Sequence, residues 1–272
     1  MKGPLKLIAH SLKRVRTLLL LMGVLLAAFQ VFIILTAKAF DRSKALENLG
    51  HSLPQFVRDF LGPATSAFLS FGGMVAQGYF HPVVMISAVA LTIVISTIPA
   101  AEIESGFMDL VMSRPIARHW IITRSLAVML ICTITLLGMM LAGTWLGFTL
   151  FVPPDLVAPS PAFFLSLATN LGFLMLCWSG LTIAVAAASR RRSVAATIIG
   201  LTALVTFLLD YVARAWHPAQ AISWLSPFHY YDGLKLILGI PLDLEHLLVL
   251  TTIAVAGYIS AYIVFLQRDL SK

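Results

Sequence analysis

Charge is scarce in this chain. Only 11% of its 272 residues are Asp, Glu, Lys or Arg, where a soluble domain carries about 25%. So little charge cannot cover a water-exposed surface, and with 59% hydrophobic residues the composition makes this an integral membrane protein. The alternating ten-residue pattern of membrane β-strands is missing too. That excludes a barrel and leaves helices, whose backbone polar groups are satisfied within hydrocarbon. Cysteine is nearly absent: Cys132 and Cys177 both fall in apolar runs and read as packing residues, with no disulfide framework or metal site expected.

Catalytic motifs are lacking as well. The chain has no G-x4-G-K-[ST] phosphate loop, no H-E-x-x-H and no G-x-S-x-G. Its seven histidines are scattered, and His81, His119, His217, His229 and His246 each stand near an expected membrane boundary. No apolar run has a clear central carboxylate or lysine, which argues against a proton- or sodium-coupled transporter, and no inverted repeat is visible. No catalytic residue, cofactor or metal is therefore expected, and an intramembrane enzyme is the poorest of the readings weighed.

Long apolar runs are abundant. Six reach the roughly 20 residues that cross about 30 Å of hydrocarbon: about 17–37, 83–101, 120–150, 162–188, 194–210 and 247–266. The third exceeds what a bilayer needs, and the fifth ends at Asp210. No small-residue cleavage site follows the first run, so it reads as a retained span and not a signal peptide. The expected fold is a single all-α membrane domain, 1–272.

Basic residues set the orientation. With the N-terminus inside, the segments 1–16, 102–124, 189–193 and 267–272 hold 13 of the 19 Lys and Arg residues, and eight of the twelve acids fall outside. Both termini are then cytoplasmic in a multi-pass protein of the plasma membrane, the inner membrane of a bacterium. The net charge of +7 is a topology signal, with no nucleic-acid partner implied. Residues 56–79 are a rival seventh span, but Arg58, Asp59, Gly62-Pro63 and Gly72-Gly73 interrupt them. They are expected to form an external helix on the membrane or the bundle, with Phe56, Phe60, Ala64, Phe68 and Phe71 on one side.

Residues 5–16 have Leu5, Ile8, Leu12 and Val15 at helical spacing, opposite Lys6, His10, Lys13 and Arg14. This predicts an N-terminal amphipathic helix at the interface, its apolar face in the bilayer and its charges at anionic lipid. Residues 215–245 are rich in Trp, Tyr and Pro and predict short external helices or a shallow hairpin. Within the runs, Gly138-x3-Ala142 and Gly143-x3-Gly147 allow close helix contact.

Residues 102–118 stand apart. This connection between two long apolar runs carries three acids, two arginines, a glycine and a proline around an apolar set of Phe107, Leu110 and Val111. Pro115 ends any helix here, because the residue before proline is steered out of the helical region. Glu104 is placed near the start of the expected short helix, where a carboxylate meets the positive end of the dipole.

The chain resembles the membrane subunit of ABC-2 type ABC transporters, over nearly its whole length. The most specific likeness is to a loop after the second span that reads E-x-E-x-G, a few residues, then L-L-x-x-P-x-x-R. Glu102, Glu104, Gly106, Leu110, Val111, Pro115 and Arg118 match it, with Val111 for the second leucine and Phe107 where threonine is frequent. Ser226-Pro227 is a weaker match. The resemblance implies a cytoplasmic coupling helix that docks in a groove of a separate ATPase, anchored by Phe107, Leu110 and Val111 and oriented by Glu104, Asp109, Arg114 and Arg118. It further implies a permease homodimer or pseudo-dimer with two ATPase copies, working as an exporter. A membrane accessory or assembly protein without a transport path is the alternative.

Overall fold

The computed structural model describes residues 2–42, 67, 70–107, 119–153, 159–214 and 216–267. Its long elements are α1 (Lys2–Arg42), α2 (Phe71–Phe80), α3 (Pro82–Ser96), α4 (Ile98–Glu104), α5 (His119–Phe151), α6 (Pro161–Ala188) and α7 (Arg192–Ala213). They are followed by α8 (His217–Gln220), two 3₁₀ turns, α9 (Gly233–Ile237) and α10 (Leu244–Gln267). No strand occurs among the described residues. Six stretches are long and apolar enough to cross a membrane: Lys6–Phe40, Phe71–Glu104, His119–Phe151, Pro161–Ala188, Arg192–Ala213 and Leu244–Gln267. That is the number expected from the apolar runs.

Three boundaries differ from expectation. Residues 5–16 are not a helix of their own but the first turns of α1, which runs unbroken from Lys2 to Arg42. No proline follows Pro4 in α1, so nothing interrupts the hydrogen-bond ladder. Within these turns Ser11 and Val15 are buried while Lys6, His10, Lys13 and Arg14 are exposed. At the second span, residues 71–80 belong to the same stretch as 83–101, separated from it only by His81, whose ring nitrogen accepts from Val83 N–H. Phe71, Val75, Ala76 and Tyr79 of α2 are buried, so this part of the expected external helix lies on the bundle. Phe56, Phe60, Ala64 and Phe68 lie outside the described residues. Finally, α7 passes Asp210 to Ala213, the Asp210 carboxylate being paired with Arg214 at 2.8 Å one turn on.

The core centres on α6. In its most apolar stretch 67% of residues are buried, against 22% for α7, which lies at the periphery. Helix α1 packs mainly on α5, and α10 on α6. Lipid is as apolar as leucine, so these pairs are held by close packing and interhelical hydrogen bonds. Side chains added at Gly180 and Gly257 would collide with the facing backbone of α10 and α6 respectively, and one at Gly143 with Ala27 of α1. Gly147 meets Ile34 of α1, whereas Gly138 has open space around it. Hydrogen bonds cross the same seams. Ser179 of α6 bonds Ser96 of α3 (2.9 Å) and Tyr258 of α10 (2.5 Å).

The two ends of the bundle are built differently. At the end holding the N-terminus, α6 and α7 are joined by the short, charged Ser189-Arg190-Arg191. At the opposite end, α2 and the pieces between α7 and α10 form a cap, in which Tyr79 bonds Thr144 at 2.9 Å and Tyr231 O–H donates to the Tyr79 carbonyl at 3.0 Å.

Candidate functional site

The chain between the second and third spanning stretches is held by charges at the N-terminal end. Helix α3 stops at Thr97, whose hydroxyl donates back to the Ile93 carbonyl at 2.8 Å. Pro99 sits in the first turn of α4, where its missing N–H costs no hydrogen bond. Helix α4 ends at Glu104, with Ser105 as its cap and Gly106 at φ +71°. That left-handed conformation favours glycine, and Gly106 N–H closes the turn onto the Ile103 carbonyl at 3.1 Å. Gly106 is thus a helix stop. No neighbouring atom approaches it, so among the described residues it serves no close contact.

Both glutamates of the E-x-E pattern reach other helices. Glu102 is buried and pairs with the buried Arg124 of α5 at 2.5 Å. Exposed Glu104 accepts the backbone N–H of Arg192 at 2.9 Å, the first residue of α7. A carboxylate here satisfies a donor that the helix leaves unpaired and faces the positive end of its dipole. Glu104 thus closes α4 and caps α7, and the short helix expected after it falls on residues outside the described ones.

Arg192 completes the arrangement. Its guanidinium donates to the Thr97 hydroxyl at 3.2 Å and to the Val94 carbonyl at 3.0 Å. One arginine thus bonds a carbonyl in the last turn of α3 and the hydroxyl of the residue at the break. Beyond Gly106, the Phe107 ring stacks on His10 of α1 with centroids 6.0 Å apart. Thr123 and Tyr262 bond at 2.7 Å and tie α5 to α10. A small cavity of about 10 Å³ beside Arg124 is lined by Ser11 and Ser125.

Of the residues singled out in the sequence, Glu102, Glu104, Gly106 and Phe107 therefore lie together, tied to α5, α7 and α1. Asp109, Leu110, Val111, Arg114, Pro115 and Arg118 fall outside the described residues. Sequence reasoning missed Arg124 and Arg192, which it counted only as orientation charges. Arg124 carried a usable signal, standing among the apolar residues that open the third run. Arg192 carried none that separates it from Arg190 and Arg191, which are exposed.

Chemically the site offers anchoring. Each carboxylate is engaged by a donor, and among the described residues no group of three His, Cys, Asp or Glu is placed to hold a metal. Set against family models and curated proteins, the chain matches none.

Proposed function

We propose that this chain is a permease subunit of an ABC-2 type ATP-binding cassette transporter, an exporter energised by a separate ATPase through residues 102–118. The observation that carries this reading is that connection. It is amphipathic, charged with both signs, longer than a minimal turn, and joined at its base to three spanning helices. Glu102 leads to α5, Glu104 and Arg192 to α7 and the α3–α4 break, and Phe107 to α1. A push on this segment by a partner would load those helices together. Closure of two nucleotide-bound ATPase copies would supply the push, and the spans would rock between inward- and outward-facing states.

In this reading both termini are cytoplasmic and the protein sits in the plasma membrane, bacterial inner membrane included. Peripheral α7 leaves Val194, Ile198, Leu201, Leu204, Val205 and Leu208 exposed, an apolar face for lipid or for the second permease of a dimer.

Co-purification from native membranes tests the proposal, combined with charge reversal at Arg114 and Arg118. Loss of a charged hydrogen bond at a docked interface costs about 2–5 kcal/mol. Both variants should therefore reach the membrane at normal levels yet lose ATPase association and stimulated turnover. An ATPase that neither co-purifies nor responds would leave an accessory or assembly protein as the better description.

A further inference from the structure

At the end of the bundle opposite the N-terminus, the chain before α10 builds a polar recess that the transporter reading does not use. Asp232 caps α9, accepting from Leu234 N–H at 3.1 Å. After α9, Gly239 at φ +79° turns the chain back, bringing Asp243 to Lys235. The Lys235 ammonium lies 3.3 Å from Asp243 and 4.0 Å from Asp232. His246 Nε2 is 3.8 Å from Asp243, and the His246 ring packs against Tyr230 and His229. These groups enclose a cavity of about 10 Å³ whose lining includes Asn170 of α6.

Two features of the recess are unbalanced. Asn170 is 4% exposed, and among the described residues its carboxamide has no hydrogen-bond partner, which leaves it to whatever fills the recess. The charges do not cancel either. With the imidazoles neutral, Asp232 and Asp243 face one ammonium, and exposed Glu245 adds a further negative charge at the rim. The hydrogen bond from Lys235 holds the Asp243 carboxyl below the usual carboxylate range, so it is ionised at neutral pH. A carboxamide, which can turn its oxygen to a cation, and an excess of carboxylate around space for one water-sized group select a small positive charge over a neutral one.

We propose that this recess binds one water-sized monovalent cation, an alkali ion or the ammonium head of an amine, between Asn170, Asp232 and Asp243 and in competition with Lys235. A divalent ion is a poorer match, because one net negative charge and few carboxylate oxygens suit a single charge. The site stands on local geometry and is independent of any transport activity.

The test is thermal unfolding of the purified full-length protein in nanodiscs at about pH 8, where imidazoles are neutral, at constant ionic strength. Sodium, potassium, ammonium and methylammonium chloride are titrated against choline chloride, whose cation is too large for the recess. A saturable rise in Tm with a small cation and none with choline is expected. Asn170→Leu and Asp243→Asn should each remove it. Lys235→Ala should bring the midpoint to lower concentration, at most about fivefold as expected for a partly exposed ion pair. Preference for methylammonium over sodium and potassium would identify an amine, and the reverse an alkali ion. Equal shifts with choline and the small cations, in both wild type and Lys235→Ala, would overturn the site. So would a full response in Asp243→Asn.

Discussion

Glu102 and Glu104 belong to one short pattern, yet their surroundings give them different energetic roles. Glu102 neutralises Arg124 where neither side chain meets solvent, and removing one partner of such a pair strands a buried charge at about 3–5 kcal/mol. Glu104 is exposed and only caps a helix, a contribution of about 1 kcal/mol. Glu102→Ala should therefore lower the unfolding temperature in detergent far more than Glu104→Ala. The double change Glu102→Leu with Arg124→Leu should recover most of the loss, since it removes both charges. Equal losses in the two single variants would show that the buried pair is not what holds α4 to α5.

Among elements, the α6–α10 seam depends on two glycines that meet backbone to backbone, Gly180 and Gly257. Overpacking of a fitted contact costs about 1–3 kcal/mol and more when backbone must move. Gly257→Leu should destabilise the protein and loosen Thr123–Tyr262 and Ser179–Tyr258, whereas Gly138→Leu, in open space, should be nearly silent. Comparable melting curves for the two would remove the argument. The α9–α10 connection carries a pH prediction. The folded Asp243 carboxyl titrates below its ordinary value because Lys235 donates to it. Its contribution is present above the ordinary carboxylate pKa and is lost as pH falls through the depressed folded value. Protection from hydrogen exchange over residues 233–243, corrected for the intrinsic rate at each pH, should hold at neutral and mildly acidic pH and fall only in strong acid. Loss of protection already near pH 6 would point to His246 as the controlling group.

For the whole molecule, six spanning stretches and the distribution of basic residues make a testable topology. Single cysteines replacing Arg191 or Lys13 should react with a membrane-impermeant thiol reagent only after the cytoplasmic side is opened. Cysteines at Trp216 or Leu244, both exposed at the opposite end, should react in intact cells. Labelling of the Arg191 position from outside would invert the orientation and take residues 102–118 out of reach of an ATPase.

The number and approximate limits of the spanning helices were legible in the sequence because hydrocarbon imposes one local rule, an apolar run of sufficient length. Sequence also marked 102–118, since charge between two such runs needs a reason, whereas the run expected over 83–101 passed through Pro99 and left the break at Thr97 to the structure. Tertiary structure alone decided which charges meet. Glu102 and Arg124 are 22 residues apart, and Glu104 and Arg192 are 88 apart, distances over which periodicity says nothing. The same holds for Gly180 and Gly257, whose value lies in facing each other. Asn170 is one polar residue in an apolar run, and only the turn at Gly239 brings Asp243 and Lys235 beside it. A membrane fixes each span from its own composition, whereas pairing between spans depends on helix rotation and register, which packing against the neighbours sets.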